Sequence, residues 1–256
     1  MTQANKAAIV TGSGSGLGRA IALDLASDGY LVLVADVNLE SAEQTVALMP
    51  NRNGSRAVCL DVTSVDSIND FSQRYGDLPI ELLVNNAGLQ HVAPIDVFPA
   101  EKWNQLLDVM LSGAFAMIQM TLPIMRRRSF GRIINIGSIH SCVASPFKAA
   151  YTAAKHGLLG LSKVVALETA DVDITINTIC PAYIRTPLVD AQIDAQAAVH
   201  GMTREEVVAK IFLERMPKKA FISYEEVIGA MRYLAGPHAR NVTGQVIIID
   251  GGWTLR

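Results

Sequence analysis

The sequence predicts a doubly wound α/β fold, in which about seven parallel strands form one sheet with helices on both faces. Short apolar runs alternate with longer segments of helical pattern along the 256 residues. Most of these runs are apolar on both faces, which is typical of buried parallel strands. No repeat, low-complexity tract or linker divides the chain, so we predict a single domain over residues 1–256.

The predicted strands and helices follow one another in regular order. The strand candidates span 6–12, 30–37, 55–62, 81–88, 131–138, 173–181 and 245–252. Segments of helical length separate most of them and lie at 17–28, 39–49, 65–75, 100–128, 151–170 and 223–235. Strand, helix and strand repeated in this way indicate a parallel sheet with crossover helices.

The stretch 182–222 is the least regular part of the sequence. It follows the predicted strand 173–181, and open α/β sheets bind ligands beyond the carboxyl ends of their strands. We therefore expect either a mobile substrate lid or a plain surface excursion over these residues.

Composition argues against several classes of protein. The formal net charge is −2, whereas a nucleic-acid binder usually carries a basic excess. The sequence MTQANKAAIVTG runs directly into a strand pattern, and no signal peptide or apolar run of transmembrane length is evident. Three widely spaced cysteines without a CxxC pair, and five histidines without ligand spacing, predict neither disulfides nor a metal site. We expect a soluble cytoplasmic protein with no nucleic-acid or membrane partner.

A glycine-rich turn follows the first predicted strand. The sequence VTGSGSGLGRA places Gly12, Gly16 and Gly18 between that strand and a helix, where backbone can approach a pyrophosphate at the helix N-terminus. Asp36 ends the second strand about 20 residues later, where an acid accepts hydrogen bonds from a ribose diol. A carboxylate at this position repels a 2′-phosphate, so the pattern favours NAD over NADP.

The next two strands also end in polar residues. Asp61 ends the third strand and is well placed to meet an adenine ring. The sequence NNAG, residues 85–88, ends the fourth strand and lets a nucleotide lie along the strand ends. For Asn86, structural hydrogen bonding is an alternative to direct cofactor binding.

Residues for proton transfer follow the fifth strand. Ser138 closes that strand, and Tyr151 and Lys155 share one face of the next helix at i, i+4. A nearby ammonium and a cationic nicotinamide would lower the tyrosine pKa, which is normally near 10. Tyr151 would then take a proton from an alcohol as hydride leaves, and Ser138 would hold the same oxygen.

Together these motifs resemble the short-chain dehydrogenase/reductase family. The matching elements are TGxxxGxG at 11–18, Asp36, NNAG at 85–88, Ser138, Tyr151-x-x-x-Lys155 and DGGW at 250–253. The resemblance covers essentially the whole chain. It implies a Rossmann-type domain, a nicotinamide cofactor, catalysis by Ser138, Tyr151 and Lys155, and assembly into dimers or tetramers, of which we favour the homotetramer.

The resemblance also identifies the expected cofactor contacts. The sequence PAYIRTP, 181–187, matches the loop that holds the nicotinamide, which places Thr186 near its carboxamide. The full set of expected contacts is Gly12, Gly16, Leu17, Asp36, Asp61, Val62, Asn86, Ala87, Gly88, Tyr151, Lys155, Pro181, Ile184 and Thr186.

A narrower resemblance concerns the substrate. NNAGLQHVAPI, GRIINIGSIHSCVAS, YTAAKHGLLGLSKVVALE, RTPLV and DGGWT resemble segments of bacterial D-3-hydroxybutyrate dehydrogenases. In that group polar side chains meet the substrate carboxylate and its neighbours. The matching candidates are Gln90, His140, Lys148 and Gln192, with Tyr183 as an aromatic wall. A short hydroxy acid needs a cation or several donors for its carboxylate, and these side chains supply both.

Two segments depart from the family pattern, one at Met110 and the other at Ala182 and Tyr183. Met110 stands where the family usually has an asparagine that holds a proton-relay water, and methionine offers only a weak acceptor. Three outcomes of this replacement are open: catalytic activity persists because a water takes another route, activity is reduced, or activity is lost. Ala182 replaces a usual glycine, and Tyr183 replaces the tryptophan of the hydroxybutyrate group, so a more polar substrate is an open alternative.

The sequence thus predicts an NAD-dependent oxidoreductase that interconverts a small 3-hydroxy acid and its 3-keto acid. D-3-hydroxybutyrate and acetoacetate are the expected pair. One alternative is a short-chain dehydrogenase for a sugar, a polyol or another secondary alcohol. The other is a catalytically impaired NAD-binding protein, because of Met110.

Overall fold

The computed structural model describes residues 6–255 and shows the predicted doubly wound α/β architecture. These residues form a seven-stranded parallel sheet in the order β3-β2-β1-β4-β5-β6-β7. The strands are β1 Ala7–Thr11, β2 Leu31–Asp36, β3 Arg56–Cys59, β4 Ile80–Asn85, β5 Phe130–Ile136, β6 Asp173–Pro181 and β7 Val246–Ile249. The helices are α1 Gly16–Ser27, α2 Leu39–Ala47, α3 Val65–Tyr75, α4 Ala100–Leu107, α5 Gly113–Arg128, α6 Ala149–Glu168, α7 Pro187–His200, α8 Arg204–Val207 and α9 Tyr224–Ala235.

The strand order reverses at β1, which pairs with β2 on one side and β4 on the other. Helices α1 and α9 pack on one face, where Ile21 and Met231 are fully buried. Helices α3 and α5 pack on the other face through Phe71 and Met117. Both faces of the sheet are therefore covered, which explains why β1 is buried throughout. The reversal at β1 leaves a crevice at the carboxyl edge of the sheet.

Predicted strand ends extend beyond the observed ladder at several places. The third strand ends at Cys59, so Asp61 lies two residues past it rather than at its end. The fifth strand ends at Ile136, which places Ser138 in the loop that follows. These chain segments leave the sheet early because their residues turn into the crevice instead of pairing with a neighbouring strand.

The predicted helix 100–128 consists of three parts. A π-helical turn, Asp108–Ser112, separates α4 from α5. By length and composition the whole stretch would also suit a membrane-spanning helix, with a mean hydropathy of 1.5 over its most apolar part. In this structure its apolar residues contribute to the protein core, since Met117 and Met125 are fully buried against the sheet. The core helix of a soluble protein passes the same test, so its composition is weak evidence for a membrane.

The stretch 182–222 is more regular than the sequence analysis predicted. It holds α7, α8 and a second π-helical turn, Val208–Phe212, and Ile184 forms a bridge to Ile222. Ile193 and Val207 are fully buried in the core on the α1 face of the sheet. The segment is therefore a packed helical cover beside the crevice, and the prediction of irregular chain was wrong.

Candidate active site

A cleft of about 970 Å³ runs along the carboxyl edge of the sheet. Loops that follow β1, β2, β3, β4, β5 and β6 form its walls. The structure brings nearly all predicted site residues together here: Gly12, Leu17, Asp36, Asp61, Val62, Asn86, Ala87, Gly88, Gln90, Ser138, His140, Lys148, Tyr151, Lys155, Pro181, Tyr183, Ile184, Thr186 and Gln192. Gly16 is the exception, because it does not line the cleft.

The glycine turn after β1 depends on backbone conformations that other residues rarely adopt. Gly12 has φ +62° and Gly16 has φ +54°. A Cβ on Gly12 would lie 2.8 Å from the Cα of Ala87, so this position also needs the space. Gly16 therefore shapes the turn, and a Cβ at this position would lie 3.8 Å from Cγ2 of Thr186, which lines the cleft.

The N-terminus of α1 suits an anion. Ser15 precedes the helix, and its side chain makes no capping hydrogen bond. The first N–H groups of a helix have no intrahelical acceptor and lie at the positive end of the helix dipole. Because Ser15 and Leu17 line the cleft beside this end, the site fits the pyrophosphate of a dinucleotide.

Asp36 ends β2 beside the glycine turn, as predicted. Its Oδ2 accepts a hydrogen bond from the Gly14 N–H at 2.8 Å, and its Oδ1 accepts one from the Asn38 N–H at 2.9 Å. Each carboxylate oxygen retains a lone pair for a ribose hydroxyl. The carboxylate is thus held in place, and a phosphate at the same position would face like charge.

The adenine side of the cleft contains residues that the sequence analysis did not identify. Val37 and Leu60 follow β2 and β3 and line the cleft together with Asp61. Val37 is 69% exposed, so its side chain is accessible to a bound adenine ring. The place of Val37 in the sequence could have identified it as a cleft residue, because it directly follows Asp36, the predicted ribose-binding acid. Asp61 has one oxygen engaged, since Oδ1 accepts from the N–H and the hydroxyl of Thr63 at 2.9 and 2.7 Å.

Asn86 is engaged within the protein. Its Nδ2 donates to the carbonyl oxygens of Thr11 and Gly12, each at 2.9 Å. Its backbone N–H donates to the Thr11 hydroxyl at 3.1 Å. The amide therefore fixes the glycine turn to the end of β4, which is the structural alternative that the sequence analysis left open.

The three predicted catalytic side chains lie together beyond β5. Lys155 is buried on α6, and its Nζ donates to the carbonyl oxygen of Ile136 at 2.6 Å. The same Nζ lies 5.7 Å from the centre of the Tyr151 ring. Ser138 begins the 3₁₀ turn Ile139–Ser141 that follows the strand. An ammonium has three donors, so Lys155 keeps two after the bond to Ile136.

The protein's own groups raise the pKa of Tyr151, opposite to the direction expected from the sequence. Burial is the main cause, while a hydrogen bond from Ser138 acts in the lowering direction. Burial also lowers the pKa of Lys155, from 10.5 to about 8. The expected lowering for Tyr151 depended partly on the positive charge of the nicotinamide, which is a second cation beside the phenol.

The other end of the cleft is lined by an aromatic group and a cation. The rings of Phe212 and Trp253 lie 5.0 and 6.2 Å from that of Tyr183, measured between centroids. Lys148 lies over Tyr183, with Nζ 5.4 Å from the ring centre, and burial lowers the pKa of Lys148. Among residues 6–255, no carboxylate forms an ion pair with Lys148. This cation is therefore available to a bound anion.

Two glutamines complete this end of the cleft. Gln90 follows β4, Gln192 lies on α7, and both line the cleft. The Oε1 atom of Gln90 is buried without a hydrogen-bond partner in the described part of the chain. An unpaired buried acceptor is costly, so a donor from a bound molecule would stabilise this position.

His140 reaches the same region, but both ring nitrogens already have partners. Nδ1 lies 3.3 Å from the Ser138 hydroxyl oxygen, and Nε2 lies 2.9 Å from that of Ser145. Burial is the main cause that lowers the pKa of His140 to about 4. The predicted donation from His140 to a substrate carboxylate therefore competes with these contacts. Ser145 was not identified from the sequence, which carries no signal for this contact.

Met110 is buried in the π-helical turn and packs against Ala150 and Ala154 of α6. Behind it lies a small cavity of about 10 Å³, lined also by Asn85 and Lys155. This volume is near the lower limit for one water molecule. The Oδ1 atom of Asn85 is buried without a partner among residues 6–255. Met110 thus fills space between α4 and α6. The side chain of Asn85, whose Oδ1 is unpaired in the described residues, remains beside Lys155 in the small cavity.

The second departure from the family pattern causes no backbone strain. Ala182 is not among the described non-glycine residues with positive φ, so its Cβ is compatible with the local chain. Its N–H donates to the carbonyl oxygen of Ile249 at 2.9 Å and extends the pairing of β6 with β7. The substitution therefore leaves the nicotinamide-side loop attached to the sheet.

Comparisons with known proteins were consistent across sequence and structure. A family model described as short chain dehydrogenase matches residues 6–197. The chain is 43% identical to D-beta-hydroxybutyrate dehydrogenase of Rhizobium meliloti, over 98% of this chain and 99% of that protein. It is 40% identical to the enzyme of that name from Cupriavidus necator, over 98% of each. The solved structure of sorbitol-6-phosphate 2-dehydrogenase SrlD from Erwinia amylovora has a TM-score of 0.90 at 30% identity, covering 96% of this chain and 99% of that one.

Proposed function

The chain belongs to the short-chain dehydrogenase family of oxidoreductases, and from this premise we propose that it interconverts D-3-hydroxybutyrate and acetoacetate with NAD. Members of the family act on a CH–OH group with a nicotinamide cofactor. The substrate proposal is supported by the relatives from Rhizobium meliloti and Cupriavidus necator, which carry that activity in their names. We include other small 3-hydroxy acids in the proposed substrate class.

The observation that carries the substrate proposal is the placement of Lys148. It is a partly buried cation in the same cleft as Tyr151, and it has no carboxylate partner in the part of the chain that the structure describes. A charge-assisted hydrogen bond to a carboxylate is about twice as strong as a neutral one. A short hydroxy acid would place its carboxylate at Lys148, between Gln90 and Gln192, and its hydroxyl at Tyr151.

We assign the chemistry to three side chains. The bound nicotinamide supplies the hydride acceptor. Tyr151 accepts the proton of the substrate hydroxyl, or returns it to the ketone in the reverse direction. Lys155 holds a positive charge beside the phenolate and retains two donors for the cofactor ribose. Ser138 donates a hydrogen bond to the reacting oxygen and holds it within reach of Tyr151.

Replacing Lys148 by alanine tests the substrate class. We expect Lys148→Ala to raise KM for D-3-hydroxybutyrate about 10- to 100-fold, because a hydrogen bond to a charged group is lost. Lys163→Ala is the matched control, since Lys163 lies on the exposed side of α6. Unchanged KM in Lys148→Ala would contradict a carboxylate at this position.

A sugar or polyol dehydrogenase is the second candidate, favoured by the structural similarity to sorbitol-6-phosphate 2-dehydrogenase. The hydroxyl of Tyr183 would also suit a substrate with several hydroxyl groups. The same pair of lysine variants separates the candidates. With an uncharged polyol as substrate, Lys148→Ala would have little effect on KM.

The cofactor proposal depends on Asp36. Its carboxylate accepts from Gly14 and faces the cleft where the adenosine ribose would lie. We expect Asp36→Asn to raise the ratio of kcat/KM for NADP over NAD by about 10²-fold, because a like-charge contact with the 2′-phosphate is removed. The amide oxygen can still accept from the Gly14 N–H, whereas the amide nitrogen cannot accept from the Asn38 N–H, so one of the two backbone contacts is kept. A ratio that stays constant would show that Asp36 does not select the cofactor.

The remaining proposals concern organisation. We propose that residues 1–256 form one catalytic domain that assembles into a cytoplasmic homotetramer, without nucleic-acid or membrane partners. Phe115 on α5 and Val164 and Leu167 on α6 are 48%, 53% and 79% exposed, and such apolar residues suit contact with a second copy. A monomer in sedimentation experiments would contradict this assembly.

We also propose that α7 and α8 cover the substrate as a lid. Equal protease sensitivity of residues 182–222 with and without both ligands would contradict the lid.

A further inference from the structure

Ser138, His140 and Ser145 form a continuous hydrogen-bonded chain. The Nδ1 atom of His140 lies 3.3 Å from Ser138 Oγ, and Nε2 lies 2.9 Å from Ser145 Oγ. The backbone N–H of His140 also donates to Ser138 Oγ, at 3.2 Å. The chain therefore connects the proposed oxygen-binding hydroxyl with a serine seven positions later, outside the residues that line the cleft.

Only two proton arrangements are compatible with this chain. The imidazole is neutral at pH 7, because burial, Lys148 and His156 together lower the pKa of His140 to about 4. A neutral imidazole has one N–H donor and one bare acceptor nitrogen. Either Nδ1–H donates to Ser138 while the Ser145 hydroxyl donates to Nε2, or both hydrogen bonds run in the opposite direction.

The two arrangements give Ser138 different chemical abilities. In the first, the backbone N–H and Nδ1–H of His140 occupy both lone pairs of Ser138 Oγ, and the hydroxyl hydrogen is free. In the second, that hydrogen is used to donate to Nδ1. A ketone oxygen that gains negative charge is stabilised by donors, and Ser138 is free to act as one beside Tyr151 only in the first arrangement.

The position of Ser138 suits the first arrangement. Ser138 and Tyr151 line the same cleft, and the Ser138 side chain is near enough to act on the pKa of Tyr151, in the lowering direction. A free hydroxyl hydrogen on Ser138 would therefore be a donor beside Tyr151, where the reacting oxygen would lie.

We propose that Ser145 is a positioning residue that acts through His140. Its hydroxyl donates to Nε2, which keeps the imidazole proton on Nδ1 and leaves Ser138 as a donor to the substrate oxygen. The role rests on the proposed oxidoreductase chemistry of this cleft.

Steady-state kinetics tests this role. Ser145→Ala removes the donor to Nε2, and we expect kcat for acetoacetate reduction to fall about five- to tenfold, with KM changed less than about twofold. Ser145→Thr retains a hydroxyl and should recover most of the lost kcat. A rise in KM with kcat unchanged would overturn the proposal, because that result indicates that the chain supports substrate binding instead.

The histidine tautomer provides a readout that needs no substrate. In protein labelled with ¹⁵N-histidine, the His140 signals are those that disappear in His140→Asn, and their shifts report which ring nitrogen carries the proton. We expect Nδ1–H in the unmodified protein and a loss of this preference in Ser145→Ala. A proton on Nε2 in the unmodified protein would overturn the proposal.

The two measurements also separate this inference from the proposed function. If the protein reduces no 3-keto acid but His140 carries its proton on Nδ1, the substrate assignment fails and the arrangement of the chain stands. If it reduces acetoacetate and His140 carries its proton on Nε2, the positioning role fails and the function stands.

Discussion

Replacing Tyr151 by phenylalanine should lower kcat about 10³-fold in both directions, because the hydroxyl that we propose exchanges the substrate proton is removed. The change removes one oxygen atom and keeps the ring that packs against Leu106 and Met110. NADH binding, measured by its fluorescence, should change by less than about threefold, since the phenol contributes mainly to the chemical step.

Tyr183→Phe is the matched control for this experiment. Tyr183 is a second partly buried tyrosine in the same cleft, and the substitution removes the same atom. We expect its effect on kcat to stay below about tenfold, because its hydroxyl belongs to the wall of the substrate pocket. Similar losses in both variants would show that Tyr151 has no special role in proton transfer.

The second large effect is expected for Lys155→Met. Removing the ammonium should lower kcat/KM about 10²- to 10³-fold, since an adjacent cation shifts the pKa of an acid by about 1 to 3 units. Methionine fills similar space, so the packing of α6 is retained. Lys163→Met, on the exposed side of the same helix, should leave kcat/KM unchanged. A pH–rate profile that is the same in Lys155→Met and the unmodified enzyme would contradict the electrostatic role.

Stability should respond to pH with a predictable sign. The pKa of Lys155 is about 8 in the folded protein and 10.5 without burial. Between these values the unfolded chain binds more protons than the folded one, so the contribution of Lys155 to the free energy of unfolding rises with pH. Below about pH 8 the buried charge is a cost that Lys155→Met removes. The melting temperature of Lys155→Met should therefore exceed that of the unmodified enzyme most clearly near neutral pH.

Much of the candidate site could be predicted because most of its residues directly follow the carboxyl ends of predicted strands. Parallel strands end at the same edge of the sheet, so residues after six predicted strands had to meet there. This placed Asp36 next to the glycine turn and Ser138 next to Tyr151 without knowledge of any distance. The spacing of Tyr151 and Lys155 on one helix face was equally direct, because the helix repeat determines it.

Features that depend on local capping or on tertiary contacts were not predicted from the sequence. The helices within 182–222 had signals in Thr186, which caps α7, and in the Thr203–Glu206 capping box of α8. The contact between His140 and Ser145 had none, because it depends on how the chain folds back after the 3₁₀ turn. The bonds of Asn86 and the raised pKa of Tyr151 likewise come from burial and packing, which a motif does not reveal.

The most direct test of the central claim is the formation of NADH by the purified protein from NAD and D-3-hydroxybutyrate. The L-isomer and NADP serve as controls in the same assay. We expect a rapid rise in NADH absorbance with the D-isomer and NAD, and rates at least about tenfold lower with either control. No NADH formation, in a protein that binds NADH, would contradict the proposed reaction and would favour the polyol substrate or the catalytically impaired protein.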